Sequence, residues 1–199
     1  MLCHNNVKEI NRSKKEKLVG YILSRIFYGY LWLVNKTVKY EIINLHLLKE
    51  LEMLGYWHGD SSLMMILLMH LKNQLPPVDV VITADWRGDI ISYILDKCRA
   101  NAIRTEDGLG ARKNLRLLIN TASTRGRVFA LAMDGPLGPR HKAKELLPYL
   151  AKKANLDIYF VSFKNSPSIN LKKRWDNYSI PLPFSRIEVV FEKYKNKVN

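Results

Sequence analysis

The stretch MLGYWHGDSSLMMILLMHLKN, residues 53–73, decides how the rest of the chain is read. Its first five residues form a short apolar run of strand length. The run from Ser61 is apolar over about three turns, which suits a helix over 61–73, and Pro76-Pro77 closes that helix because proline cannot extend it. A strand at 53–57 followed by a helix at 61–73 leaves Trp57-His58-Gly59-Asp60 as the connection. His58 then emerges at the carboxyl end of a strand, the edge where open α/β sheets collect their ligands.

Working outward, the same alternation repeats. Strands are expected at 78–83, 102–104, 127–133, 157–163 and 186–191, and helices at 89–100, 110–123 and 141–154. The fold class is therefore α/β, with a mixed, mostly parallel sheet of about six or seven strands flanked by helices. At 199 residues the chain is within reach of one hydrophobic core. Its expected division is an N-terminal membrane-interface helix over 1–37 and an α/β domain over 38–199. The lysine-rich end from Lys193 is expected to fray.

Residues 18–34 are apolar and aromatic apart from Ser24 and Arg25. Seventeen residues with a central arginine make a poor bilayer span. Tyr21, Phe27, Tyr28, Tyr30 and Trp32 favour the headgroup boundary, and Lys14, Lys15, Lys17, Lys36 and Lys39 flank the segment with cations for anionic lipid. An interfacial helix is the first reading; a helix packed on the domain's own core is the second.

The net charge of +14, from 32 Lys+Arg against 18 Asp+Glu, calls for an anionic partner: lipid headgroups, a phosphorylated substrate or nucleic acid. Nucleic acid is the weakest of these, because the chain contains no recognisable RNA-binding or helix-turn-helix pattern. Cys3 and Cys98 offer neither zinc spacing nor a disulfide framework, so no metal is expected and a reducing, cytosolic setting fits.

Three motifs carry chemistry. His58 is placed to take a proton from a hydroxyl if a carboxylate fixes its tautomer, with Asp60, Asp85 and Asp134 as candidate partners; a histidine bonding only its own loop is the plainer alternative. Asp134-Gly135-Pro136-Leu137-Gly138-Pro139-Arg140 follows the strand at 127–133 and precedes a helix expected near Lys142. Free amides at Gly135 and Gly138, with Arg140 and Lys142 beyond them, would suit a phosphate or an oxyanion; a purely structural turn is the alternative. It is not a Walker loop, since the Gly-Lys-Ser/Thr ending is absent. The third motif, Lys172-Lys173-Arg174-Trp175-Asp176-Asn177-Tyr178 and then Pro181-Leu182-Pro183-Phe184-Ser185-Arg186, mixes cations, aromatics and prolines in a way that fits anionic headgroups.

In this order and spacing, the three motifs resemble an uncharacterised bacterial branch of the lysophospholipid acyltransferase-like family, related to the late acyltransferases of lipid A synthesis. The resemblance covers about residues 38–192. It implies transfer of a fatty acyl group from a coenzyme A or acyl carrier protein thioester to a lipid hydroxyl, a lysophospholipid or glycolipid precursor, with no tightly bound cofactor. The site implied lies on the cytoplasmic face of the inner membrane, in a peripheral or monotopic protein with anionic lipids as partners. His58 would be the catalytic base, Asp134 or Asp85 its orienting acid, and Arg104, Gly135, Gly138, Arg140, Lys142, Trp175 and Arg186 the substrate-binding set.

The chain departs from the family pattern at named positions. Where the H-x-x-x-x-D spacing calls for an acid it has Leu63, and a second aspartate position is occupied by Arg87. Thr105-Glu106-Asp107 adds acids after Arg104, and a glycine is missing within 145–147. The carboxylate for His58 must therefore come from elsewhere in the chain, or the protein keeps the fold as a non-catalytic lipid-binding scaffold.

Overall fold

A computed structural model describes residues 14–105 and 111–194. Cys3, His4, the Glu106 and Asp107 pair, and Lys195 and Lys197 lie outside the described residues. Among the described residues, seven strands, β1 (Lys39–Ile43), β2 (Met53–Tyr56), β3 (Val78–Thr83), β4 (Ala100–Thr105), β5 (Val128–Ala132), β6 (Ile158–Leu171) and β7 (Tyr178–Lys193), form one sheet in the order β1-β7-β6-β2-β5-β3-β4. All neighbouring pairs are parallel except β6 with β7.

Among the described residues, five α-helices cover the sheet: α1 (Lys14–Thr37), α2 (Ser61–Leu71), α3 (Trp86–Lys97), α4 (Ala111–Ala122) and α5 (Leu146–Ala154). Because successive strand residues face opposite sides, the central strands feed two cores. Leu54, Val80, Ala130 and Val161 pack toward α1, α2 and α3. Met53, Phe129, Leu131 and Phe160 pack toward α4 and α5. Residues Ser62 to Met69 of α2 are buried all round, so the apolar run after His58 is central core.

α1 joins the first core through Leu31 and Val34, which have no exposed surface, and it contacts α2, α3 and β7. Its other side leaves Leu18, Tyr21, Ile22, Ile26, Trp32 and Leu33 exposed. Among the described residues, no helix is long and apolar enough to cross a membrane.

Two elements differ from the sequence reading in ways that shape the site. The helix expected over 141–154 starts only at Leu146. The cause is Pro148: a start at 146 puts it in the first turn, where a missing N–H costs nothing, whereas a start at 141 would bury it in the helix interior against the carbonyl of Lys144. The strands expected at 157–163 and 186–191 are the roots of a much longer hairpin. β6 pairs with β2 only over Ile158–Phe160, and beyond that β6 and β7 run on together as far as Leu171 and Tyr178. Pro167 falls at a register irregularity between Ser166 and Ser168, and Pro181 and Pro183 sit in the hairpin's outer strand, places where a sheet tolerates proline.

Candidate active site

The turn after β2 is a single helical turn, His58–Asp60, running directly into α2. It sits at the carboxyl edge of the parallel strands, beside the loop that leaves β5 at Asp134. The hairpin tip, residues 172–177, folds back onto the same place, so the three motifs of the sequence meet at His58.

His58 Nδ1 lies 2.8 Å from Asp176 Oδ2. The Asp176 side chain is fully buried, and an ionised carboxylate can only accept, so Nδ1 carries the hydrogen and Nε2 keeps its lone pair. No hydrogen bond to Nε2 is found among the described residues, and the His58 side chain is 29% exposed. The result is a partly exposed imidazole with a fixed tautomer, its basic nitrogen left without a hydrogen bond among the described residues. Burial opposes ionisation of Asp176, but hydrogen bonds from Arg174 and His58 outweigh it and hold the carboxyl below its ordinary range.

The expected orienting acids occupy other positions. Asp134, fully buried, accepts the backbone N–H of His58 through Oδ1 at 2.8 Å and that of His141 through Oδ2 at 3.2 Å. It ties the β2 turn to the β5 loop and does not reach the ring. Asp85 caps α3 by accepting the Arg87 N–H at 2.8 Å and forms an ion pair with the Arg87 side chain. Partial burial works against its ionisation, but the Arg87 contacts prevail and lower its pKa. A strand-end carboxylate one or two strands away is drawn to the nearest free amides, and both of these found backbone partners first.

Two glycines let the segments close. A Cβ at Gly59 would lie 2.3 Å from the Asp176 carbonyl oxygen, so the hairpin tip rests on bare backbone there. A Cβ at Gly138 would lie 2.4 Å from the Trp175 ring, which also packs 5.2 Å from the His58 ring. Trp57 stacks on His141 at 4.9 Å, joining the first motif to the second.

The expected substrate-binding residues divide into two groups. Arg140 and Lys142 are exposed on the loop beside the site, and Trp175 forms part of its wall. Arg104 is turned inward: it donates to Asp89 at 2.6 Å and to the carbonyls of Ala84 and Asp85 at 3.2 and 2.7 Å, which spends its fork on the β3–α3 turn. Arg186 is exposed on β7, two strands from β2. The Gly135 amide donates to the Ala132 carbonyl at 3.2 Å, and the Lys144 side chain lies over Gly135. With α5 starting at Leu146, the loop is not followed directly by a helix N-terminus, and the Lys144 N–H bonds back to Met133 at 2.8 Å. Among the described residues, no group of histidine, cysteine and carboxylate side chains is arranged to hold a metal.

Asp60 adds a titrating group. Burial pushes its carboxyl up to about 6 from 3.8; Arg140 lowers it and Asp134 raises it further. The folded chain therefore holds this proton to higher pH than the unfolded chain does, and stability falls as pH rises from about 4 to 6. Asp60→Asn should leave stability near pH 4 unchanged and raise it at pH 7 by roughly 2–3 kcal/mol. Urea titrations at the two pH values measure this; an equal effect at both would show that Asp60 is not buried as a neutral acid.

Asp176 and Arg174 were not among the catalytic candidates read from the sequence. A signal was present: Asp176 is the only acidic residue between Asp157 and Glu188, in a stretch that otherwise carries cations.

No protein-family model matches the chain. It is 25% identical over 201 residues to the uncharacterized protein RP090 of Rickettsia prowazekii (strain Madrid E), covering 94% of this chain and 89% of that protein. Among solved structures it is similar to the 1-acyl-sn-glycerophosphate (LPA) acyltransferase PlsC from Thermotoga maritima, with a TM-score of 0.54 and 13% identity over 94% of this chain and 75% of that one. The chain thus has a distant acyltransferase-like fold.

Proposed function

We propose that the chain is an acyltransferase that moves a fatty acyl group from a coenzyme A or acyl carrier protein thioester to a lipid hydroxyl. The observation that carries this reading is the His58–Asp176 pair at 2.8 Å, set at the carboxyl edge of an acyltransferase-like sheet. His58 Nε2 removes the proton as the acceptor hydroxyl attacks the thioester carbonyl, the C–S bond breaks, and the imidazolium returns the proton to the leaving thiolate. Asp176 holds the ring and stabilises the imidazolium. No covalent enzyme intermediate is needed.

Work at a membrane surface, on its cytoplasmic face, is part of the same proposal. Two features support it: the outward apolar side of α1, with Trp32 at 48% and Ile26 at 65% exposure, and the exposed cations Arg140, Lys142, Lys172 and Lys173 around the site. Anionic lipids are then the surface partner, and a lysophospholipid or glycolipid precursor is the acceptor.

The test incubates the full chain with acyl-coenzyme A or acyl carrier protein thioesters and lysolipid acceptors in anionic vesicles, with product read by mass spectrometry. Acylated lipid formed in proportion to protein supports the proposal. Vesicle binding with no acylated product from any donor and acceptor pair would favour the lipid-binding scaffold.

A further inference from the structure

We propose that Arg174 is a positioning residue of this site, completing an Arg174–Asp176–His58 relay. The inference rests on the acyl-transfer reading and deepens it. In the sequence Arg174 is the last of three consecutive cations, and all three looked suited to lipid headgroups. The structure separates it from Lys172 and Lys173. Its guanidinium donates through Nε to Asp176 Oδ1 at 2.9 Å and through Nη2 to Oδ2 at 2.8 Å, while Oδ2 also receives His58 Nδ1.

Three hydrogen bonds thus converge on one carboxylate with no exposed side-chain surface. The planar fork blocks rotation of the carboxylate about its own bond, so the oxygen facing His58 stays where the ring needs it. The turn is held as well: the Arg174 N–H donates to Leu171 at 3.0 Å and the Asn177 N–H to Arg174 at 3.1 Å. The guanidinium also lies over the Tyr178 ring at 4.9 Å. Its own side chain is 46% exposed, so the cation remains hydrated while it neutralises a buried anion.

The electrostatic consequence is specific. With Arg174 present the charge of the buried carboxylate is compensated. Without it, Asp176 acts on the ring alone and the protonated imidazole is favoured at higher pH. The other groups near His58 are Asp134 on its amide, Asp60 at the start of α2, Arg140 and His141 on the β5 loop, and the buried hydroxyls of Tyr56 and Tyr178. Of these, Tyr178 alone touches Arg174, and burial pushes its hydroxyl up to about 12, so it stays protonated across the range in which the imidazole titrates and a change in titration reports on the relay.

The experiment follows the His58 imidazole by NMR across pH in the full chain, for wild type, Arg174→Gln, Arg174→Lys and Asp176→Asn, and records the pH profile of acyl transfer alongside. Arg174→Gln should move the imidazole midpoint, and with it the acid limb of the rate profile, up by about one pH unit. Activity then falls several-fold at neutral pH and recovers in alkali. Arg174→Lys, which keeps the charge and loses the fork, should keep the midpoint while lowering the rate at all pH values. A midpoint unchanged in Arg174→Gln, with the chain folded by circular dichroism, would overturn the proposal. If instead Asp176→Asn keeps full activity, the His58–Asp176 reading is what fails. The NMR midpoint tests the relay even where turnover is absent.

Discussion

Replacing His58 with alanine should lower the acyl-transfer rate by roughly two to four orders of magnitude and leave lipid binding little changed. That is the usual worth of a positioned general base. The ring is partly exposed, so its loss opens no large cavity in either core. The backbone N–H that Asp134 accepts at 2.8 Å belongs to the main chain and survives the substitution. The turn should therefore hold its shape while the base is removed. In kinetic terms the deficit belongs in kcat, because the base acts as the hydroxyl loses its proton and contributes little to holding the acceptor. A rise in KM with kcat unchanged would instead assign His58 to acceptor binding.

Gly59→Ala should have an effect of comparable size without touching either member of the pair. The new Cβ would be 2.3 Å from the Asp176 carbonyl oxygen, well inside van der Waals contact, and the obstructing atom is backbone that no rotamer change can move. The hairpin tip must retreat by about an ångström, and a catalytic group misplaced by that much costs on the order of a hundredfold in rate. The Nδ1 to Oδ2 contact at 2.8 Å is the one that breaks. Steady-state rates and the NMR signal of the Nδ1 proton check this together. A variant with normal rates would mean that the tip and the β2 turn do not need to touch.

How far the sequence carried the reading depended on how local each feature is. The unit from 53 to 71 was legible because a short apolar run, a His-Gly turn and an apolar helix are all written within about twenty residues. β3 over Val78–Thr83 was legible to the residue, bounded by Pro77 and by the polar start of α3. The edge strand β1 was missed: it is five residues long and its Lys39 and Glu41 do not look like core. The start of α5 is not legible from periodicity alone, because Pro148 and not the apolar pattern sets where the helix begins.

The candidate site was half legible for a related reason. His58 could be placed from its own neighbours, but its partner lies 118 positions away, and only the full length of the β6–β7 hairpin brings it back. Pro181 and Pro183 in the outer strand disguise that length, so in the sequence the Trp175-Asp176 segment reads as part of a headgroup-binding cluster and not as a hairpin turn. Asp134 and Asp85 are the acids the sequence offers for His58, yet the buried Asp134 carboxylate is taken up by two backbone amides. The missing acid at Leu63 fits the same geometry: position 63 is 1% exposed on a helix buried nearly all round, and the carboxylate is supplied by the hairpin tip instead.

The central claim is that His58 and Asp176 act as one unit in acyl transfer. It is tested most directly by a double-mutant cycle on the acyl-transfer rate, with His58→Ala, Asp176→Asn and the combined variant measured under saturating donor and acceptor. If the two act together, each single substitution lowers the rate strongly and the double variant is no slower than the slower single one. A double variant slowed by the product of the two single factors would show independent roles and contradict the account.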